Sequence, residues 1–203
     1  MISMDKKSDT VIVVLHEIYG INQHMQHMCK LLSDQGYDVI CPDLLGRETP
    51  FDYSQEEAAY LNFMENVGFA HASSQIKSLL LSIRDRYKKI CIVGFSIGAT
   101  IAWLCSEEKG IDGIVGFYGS RIRNYLELTP QCPTLLFFPQ EEPSFDVDEL
   151  ISTLDHHHNV SAYQCNGQHG FSDPYSSRYH VHSAQKTLNE MLEFFREKVT
   201  IHE

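Results

Sequence analysis

Apolar, β-branched runs recur along the chain at Val11 to Leu15, Val39 to Cys41, Ile90 to Val93, Ile114 to Phe117, Thr134 to Phe138 and Val160 to Tyr163. Short runs rich in Val and Ile predict strands buried on both faces. Between them, apolar positions return every three or four residues over about 23–35, 55–84, 98–109 and 146–156, with a last stretch near 181–198. That spacing predicts amphipathic helices. Strands alternating with helices make βαβ units, so the expected architecture is α/β: a doubly wound, mostly parallel sheet flanked by helices. In such sheets catalytic groups gather at the carboxyl ends of the strands.

The punctuation fits this order. Gln35-Gly36-Tyr37-Asp38 breaks the first helix before the second strand, and Cys41-Pro42-Asp43 ends that strand. The long helical region 54–84 interrupts the alternation. It opens with Glu56 and Glu57 where a helix dipole prefers acids, and Asn66-Val67-Gly68 predicts a break between two helices. Its position suits a wall or lid over the crevice. His156-His157-His158 is the one biased tract and reads as a solvated helix end.

A chain of 203 residues accommodates one sizeable core, so 1–203 is expected to be a single domain. Hydrophobic residues at 43% and charged residues at 21% are ordinary for a globular protein. Acids outnumber bases by 27 to 16, a formal charge of -11 that argues against nucleic acid as a partner. The N-terminal MISMDKKSDT leads only into the short run VIVVL, and nothing approaches the roughly 18 apolar residues of a membrane span, so a cytoplasmic location without membrane association is expected. The six cysteines are scattered through apolar runs with no CxxC pair, as packed, reduced thiols are.

The chemistry centres on VGFSIGAT, Val93 to Thr100. Gly94-Phe95-Ser96-Ile97-Gly98 follows a predicted strand and opens a predicted helix. Glycines at these places permit a sharp turn that lifts the serine hydroxyl above the sheet, and the helix N-terminus beneath it favours developing negative charge. Outside that context Ser96 would merely cap a helix. In it, Ser96 is the expected nucleophile.

A serine needs a base. His169 alone among the histidines follows a predicted strand inside a glycine-bracketed loop, Asn166-Gly167-Gln168-His169-Gly170-Phe171; His24 and His27 read as helix-surface residues, and His180 and His182 as weaker competitors. The orienting acid is expected after the strand Thr134 to Phe138, where the chain reads Pro139-Gln140-Glu141-Glu142-Pro143. Glu142 is preferred because it falls a few residues past the strand, just before the next helix, with Glu141 and Asp146 as alternatives. At the end of the first run, Leu15-His16-Glu17-Ile18-Tyr19-Gly20, the amide of Ile18 would join that of Ile97 in an oxyanion hole if the first and third strands are neighbours. Glu17 would be either exposed and idle or engaged in proton handling.

Together LHEIYGIN, GYDVICPDLLGR, VGFSIGAT, IVGFYGS, PTLLFFPQEE and QHGFSDP resemble the dienelactone hydrolase family, a branch of the α/β-hydrolase fold, over nearly the whole chain from Val11. The resemblance implies a cofactor-independent hydrolase with Ser96, Glu142 and His169 as nucleophile, acid and base, and Glu17 as the glutamate that helps deprotonate the nucleophile. It implies no metal or organic cofactor. Three departures stand out: serine where well-known members carry cysteine, glutamate where the acid is usually aspartate, and a leading segment too short for the extra strands of many relatives. Dienelactone-cleaving members also clamp the substrate carboxylate with two arginines, and those places hold Glu56 and Asp173, while the wall tyrosine is retained as Tyr60. Two acids there would repel an anionic lactone; Arg47 or Arg178 would be the replacement cations.

The resulting expectation is a serine carboxylesterase acting on a small ester, lactone or thioester, its pocket walled by Tyr60, Tyr19, Phe171 and Tyr118. The alternatives are a thioesterase or acyltransferase using the same residues, and a non-catalytic binding protein on the same scaffold.

Overall fold

The computed structural model describes residues 1–199. Seven strands form one sheet: β1 (Ile2–Met4), β2 (Thr10–Leu15), β3 (Asp38–Cys41), β4 (Lys89–Phe95), β5 (Gly113–Phe117), β6 (Thr134–Glu141) and β7 (Val160–Gln168), in the order β1-β3-β2-β4-β5-β6-β7. Every pairing is parallel except that of β1 with β3. The helices are α1 (Gln23–Asp34), α2 (Glu56–Asn66), α3 (Gly68–Ile83), α4 (Ile97–Leu104), α5 (Val147–Leu154) and α6 (Val181–Val199).

The period of two along the strands distributes the core. Val11, Val13 and Leu15 of β2 meet Phe63 of α2, Ile76 and Leu80 of α3 and Ile101 of α4. Ile12 and Val14 meet Met25 and Leu32 of α1 and Phe195 of α6 on the opposite face. Successive side chains of a strand point to opposite sides, so a strand with all six residues buried must be covered twice. That is the doubly wound α/β-hydrolase arrangement, and its crossovers place the strand ends on one rim.

The short leading segment still contributes a strand to the sheet. Ile2–Met4 adds an antiparallel edge strand, with Ile2 opposite Cys41 and Met4 opposite Val39. Three residues are too few to show a period, and only the exposed edge of β3 makes them a strand. The 54–84 region divides at Val67 into α2 and α3, with Gly68 at φ 71°. All six cysteines are free and buried. Among the described residues no helix is long and apolar enough to cross a membrane.

Candidate active site

The rim positions follow from the register. In the β2–β4 pair Leu15 stands opposite Gly94, so the loop after β2 and the turn after β4 emerge side by side. In the β6–β7 pair Glu141 stands opposite Gln168, and the next residue on each chain, Glu142 and His169, therefore also face each other. Ser96 sits between these two pairs of strands, its amide donating to Phe117 O at 2.9 Å.

Ser96 has φ 53° and ψ -113°, a backbone conformation costing on the order of 1–3 kcal/mol that the turn enforces. A Cβ at Gly94 would run into the backbone of Gly98, and one at Gly98 into the carbonyls of Leu15 and His16. These glycines let α4 begin directly against the ends of β4 and β2. Ser96 Oγ is 2.8 Å from His169 Nε2, and His169 Nδ1 is 2.9 Å from Glu142 Oε2. With Glu142 ionised, Nδ1 carries the proton and donates it to the carboxylate, leaving Nε2 to accept from Ser96. Burial alone would raise the Glu142 carboxyl, but the hydrogen bond and charge of His169, with Ser144 and Arg123, outweigh it and hold it below its ordinary value.

The other two candidate acids are committed elsewhere. Glu141 accepts from Gln168 Nε2 at 2.9 Å, and Asp146 caps α5 by accepting from the amides of Asp148 and Glu149. His180 accepts from the amide of Ser183 at the start of α6.

Ile18 and Ile97 line one cavity of about 720 Å³ with Ser96, His169 and Glu142. The amide of Ile97 opens α4 and so has no partner within the helix. His16, fully buried, shapes the neighbouring loop: its Nδ1 donates to Glu17 O at 2.7 Å and its Nε2 accepts from Leu44 N at 2.9 Å, which fixes a neutral ring. Burial lowers its pKa and keeps it so. Sequence reasoning gave His16 no task, because its partner Leu44 is remote in the chain.

The rest of the cavity wall comes from Tyr60, Glu56 and Glu57 of α2, Phe69 of α3, Thr100 of α4, and Arg121 and Arg178. Tyr19 lines a smaller adjoining cavity of about 40 Å³ with Glu17, Tyr53 and Asp173. Phe171 and Tyr118 correct the expectation of pocket walls: at 0% exposure both are core, driven inward because Phe117, Phe95 and His169 pack around them. Tyr118 lies behind the cavity, donating to Glu17 Oε1 at 2.8 Å while Ser172 bonds its oxygen at 2.9 Å.

Glu17 is not an exposed residue. It is 5% exposed, and although burial would raise its carboxyl, the nearby His24 imidazole and the Tyr118 hydroxyl bring it below its ordinary value. His24 is likewise not a surface residue: it is 1% exposed, its ring edge-on to Phe95 at 4.9 Å, because α1 turns this position toward the sheet. Asp173 also departs from expectation. Its side chain points inward, accepts from Tyr53 at 2.5 Å, and is raised by burial. Glu56 is gripped by both Arg178 nitrogens at 2.7 and 3.1 Å, while Arg47 lies over Phe51, away from the cavity. Arg121, which the sequence did not single out, donates to the Tyr60 hydroxyl.

A family model for the dienelactone hydrolase family matches residues 1–199. The "Uncharacterized protein YczH" of Bacillus subtilis (strain 168) is 40% identical over 181 residues, 88% of this chain and 89% of that one. Carboxymethylenebutenolidase of Pseudomonas putida is 30% identical over 129 residues, which is 60% of this chain and 55% of that protein. Among solved structures, a dienelactone hydrolase-like promiscuous phosphotriesterase from metagenomic libraries superposes with a TM-score of 0.74 at 17% identity, over 93% of this chain and 86% of that one.

Proposed function

Because the chain belongs to the dienelactone hydrolase family, we propose that it is a serine hydrolase that opens a small ester, lactone or thioester by acyl transfer. The observation that carries this reading is the unbroken chain from Ser96 Oγ through His169 to Glu142, with links of 2.8 and 2.9 Å on the cavity wall.

Ser96 Oγ attacks the substrate carbonyl as His169 Nε2 takes its proton, and Glu142 stabilises the imidazolium that forms. The oxyanion accepts hydrogen bonds from the amides of Ile18 and Ile97. As the tetrahedral adduct collapses, His169 returns the proton to the departing alkoxide or thiolate, leaving an acyl-serine. Water then attacks that acyl group with His169 as base again, releasing the acid and restoring Ser96. Glu17, held below its ordinary pKa beside this centre, helps balance the proton at Ser96. A binding-only reading would be favoured by a His169 out of reach of Ser96, which is not the arrangement found.

The cavity suits a small acyl substrate without a carboxylate. Arg178 is already neutralised by Glu56, and Glu57 and Glu141 add negative charge to the wall against Arg121, which is held by the Tyr60 hydroxyl. Dienelactone itself is therefore not the substrate proposed.

Labelling with a fluorophosphonate probe, read by peptide mass spectrometry, tests the mechanism. Modification at Ser96 that disappears in His169→Ala supports it. An unmodified, folded protein, or a Ser96→Ala variant that cleaves activated esters as fast as the parent, sinks it.

A further inference from the structure

Glu17, His24 and Asp173 meet in the interior beside the Ser96–His169–Glu142 chain, brought together by the loop after β2, the first turn of α1 and the loop after β7. Their exposures are 5%, 1% and 1%. His24 Nδ1 lies 3.7 Å from Asp173 Oδ2 and 3.9 Å from Glu17 Oε2, and the three donor atoms all fall within 4.8 Å of one another. Independently of the two acids, both ring nitrogens of His24 are buried and have no hydrogen-bond partner. An imidazole without a partner at such depth is unusual, since buried polar groups are nearly always satisfied.

These separations are too long for hydrogen bonds, which end near about 3.2 Å. They approach those of ligands sharing an ion, since atoms each about 2.1 Å from a common centre stand roughly 3–4 Å apart. The donor chemistry points the same way. Two carboxyl groups and an imidazole are gathered in the interior beside the Phe95 ring, a donor set that one divalent cation can serve. The carboxylates are also oriented from outside, as metal ligands are: Tyr118 donates to Glu17 Oε1, Tyr53 to Asp173 Oδ2, and the Tyr175 amide to Asp173 Oδ1. Glu17 and Asp173 line the cavity of about 40 Å³ that also touches Ser96 and His169, while His24 borders a separate cavity of about 240 Å³ on its other side.

We propose that Glu17, His24 and Asp173 form a buried site for one divalent first-row transition-metal ion, the donor set suiting Zn²⁺ or Mn²⁺. The ion would tie the loop that carries the Ile18 amide to the loop that carries His169. Its binding stands or falls separately from the hydrolase reading, because it is measured without substrate.

The test is metal binding by the intact protein. Untagged protein is stripped with EDTA, dialysed against Zn²⁺ or Mn²⁺, desalted and assayed by inductively coupled plasma mass spectrometry, with thermal melting in parallel. The proposal expects about one ion per chain and a higher melting temperature with that ion. Both effects are expected to be lost in His24→Ala and in Asp173→Asn, and kept when His156, His157 and His158 are replaced by Ala. Stripped wild-type protein that is folded but retains no ion after this treatment overturns the site. Retention undiminished in a folded His24→Ala variant overturns it too.

Discussion

His169 Nδ1 and Glu142 Oε2 stand 2.9 Å apart although 27 residues separate them in the chain, because each is the first residue beyond one of two paired strands. The bond fixes which nitrogen of His169 is free to take a proton from Ser96. Glu142→Gln keeps a side chain of similar shape but removes the charge and can present its amide in place of the carboxylate. We expect kcat/KM on an activated ester to fall by about 10²–10⁴-fold with little change in fold. Steady-state kinetics with circular dichroism check this, and a fall of less than tenfold would place the orienting charge elsewhere.

The same bond predicts a pH dependence of stability. Because Glu142 is held below its ordinary pKa in the folded protein, it contributes stability that is fully present above its unfolded pKa. That contribution is lost as the pH falls through the depressed folded value. Urea midpoints of the parent and of Glu142→Gln, measured from neutral pH down into the acid range, should therefore converge as the medium is acidified. A gap that stays constant would show that the carboxylate is not stabilised in this way.

Gly98 lies so close to the Leu15 and His16 carbonyls that an added methyl group cannot be accommodated without moving backbone. Gly98→Ala should destabilise the protein by on the order of 3 kcal/mol and displace Ser96 from His169. Equilibrium denaturation measures the first effect and fluorophosphonate labelling rate the second. A variant with parental stability would contradict the close approach.

The Arg178–Glu56 pair makes a prediction about selectivity rather than stability. As a partly exposed pair it contributes only about 0–1 kcal/mol to folding. Glu56→Gln frees the guanidinium on the cavity wall, so kcat/KM for a carboxylate-bearing ester should rise several-fold relative to its neutral analogue. Adding Arg178→Ala should reverse the gain. Unchanged selectivity in Glu56→Gln would mean that Arg178 does not meet the substrate.

The strand and helix order, the turn around Ser96 and the loop histidine were legible in the sequence because they are local: β-branched runs, three-to-four-residue spacing, and glycines flanking a serine act within a few residues of themselves. Even the acid was narrowed to Glu141, Glu142 and Asp146. The sequence preferred Glu142 among them, but its contact with His169 depends on the extension of β6 past Pro139 to Glu141, which pairs with Gln168. That is a register between strands, which neither segment encodes alone.

Burial was less legible still. His24 looked like a surface residue and Asp173 like a charge facing substrate, yet both are 1% exposed. Phe171 and Tyr118 looked like pocket walls and are core. The sequence by itself determined the periodicities that commit this chain to a doubly wound sheet, and the glycines that make the sharp turn carrying Ser96 at its rim. Only the tertiary structure decided which polar groups face the cavity and which are sealed behind it, because that depends on how three distant loops close over one another at the ends of β2, β4 and β7.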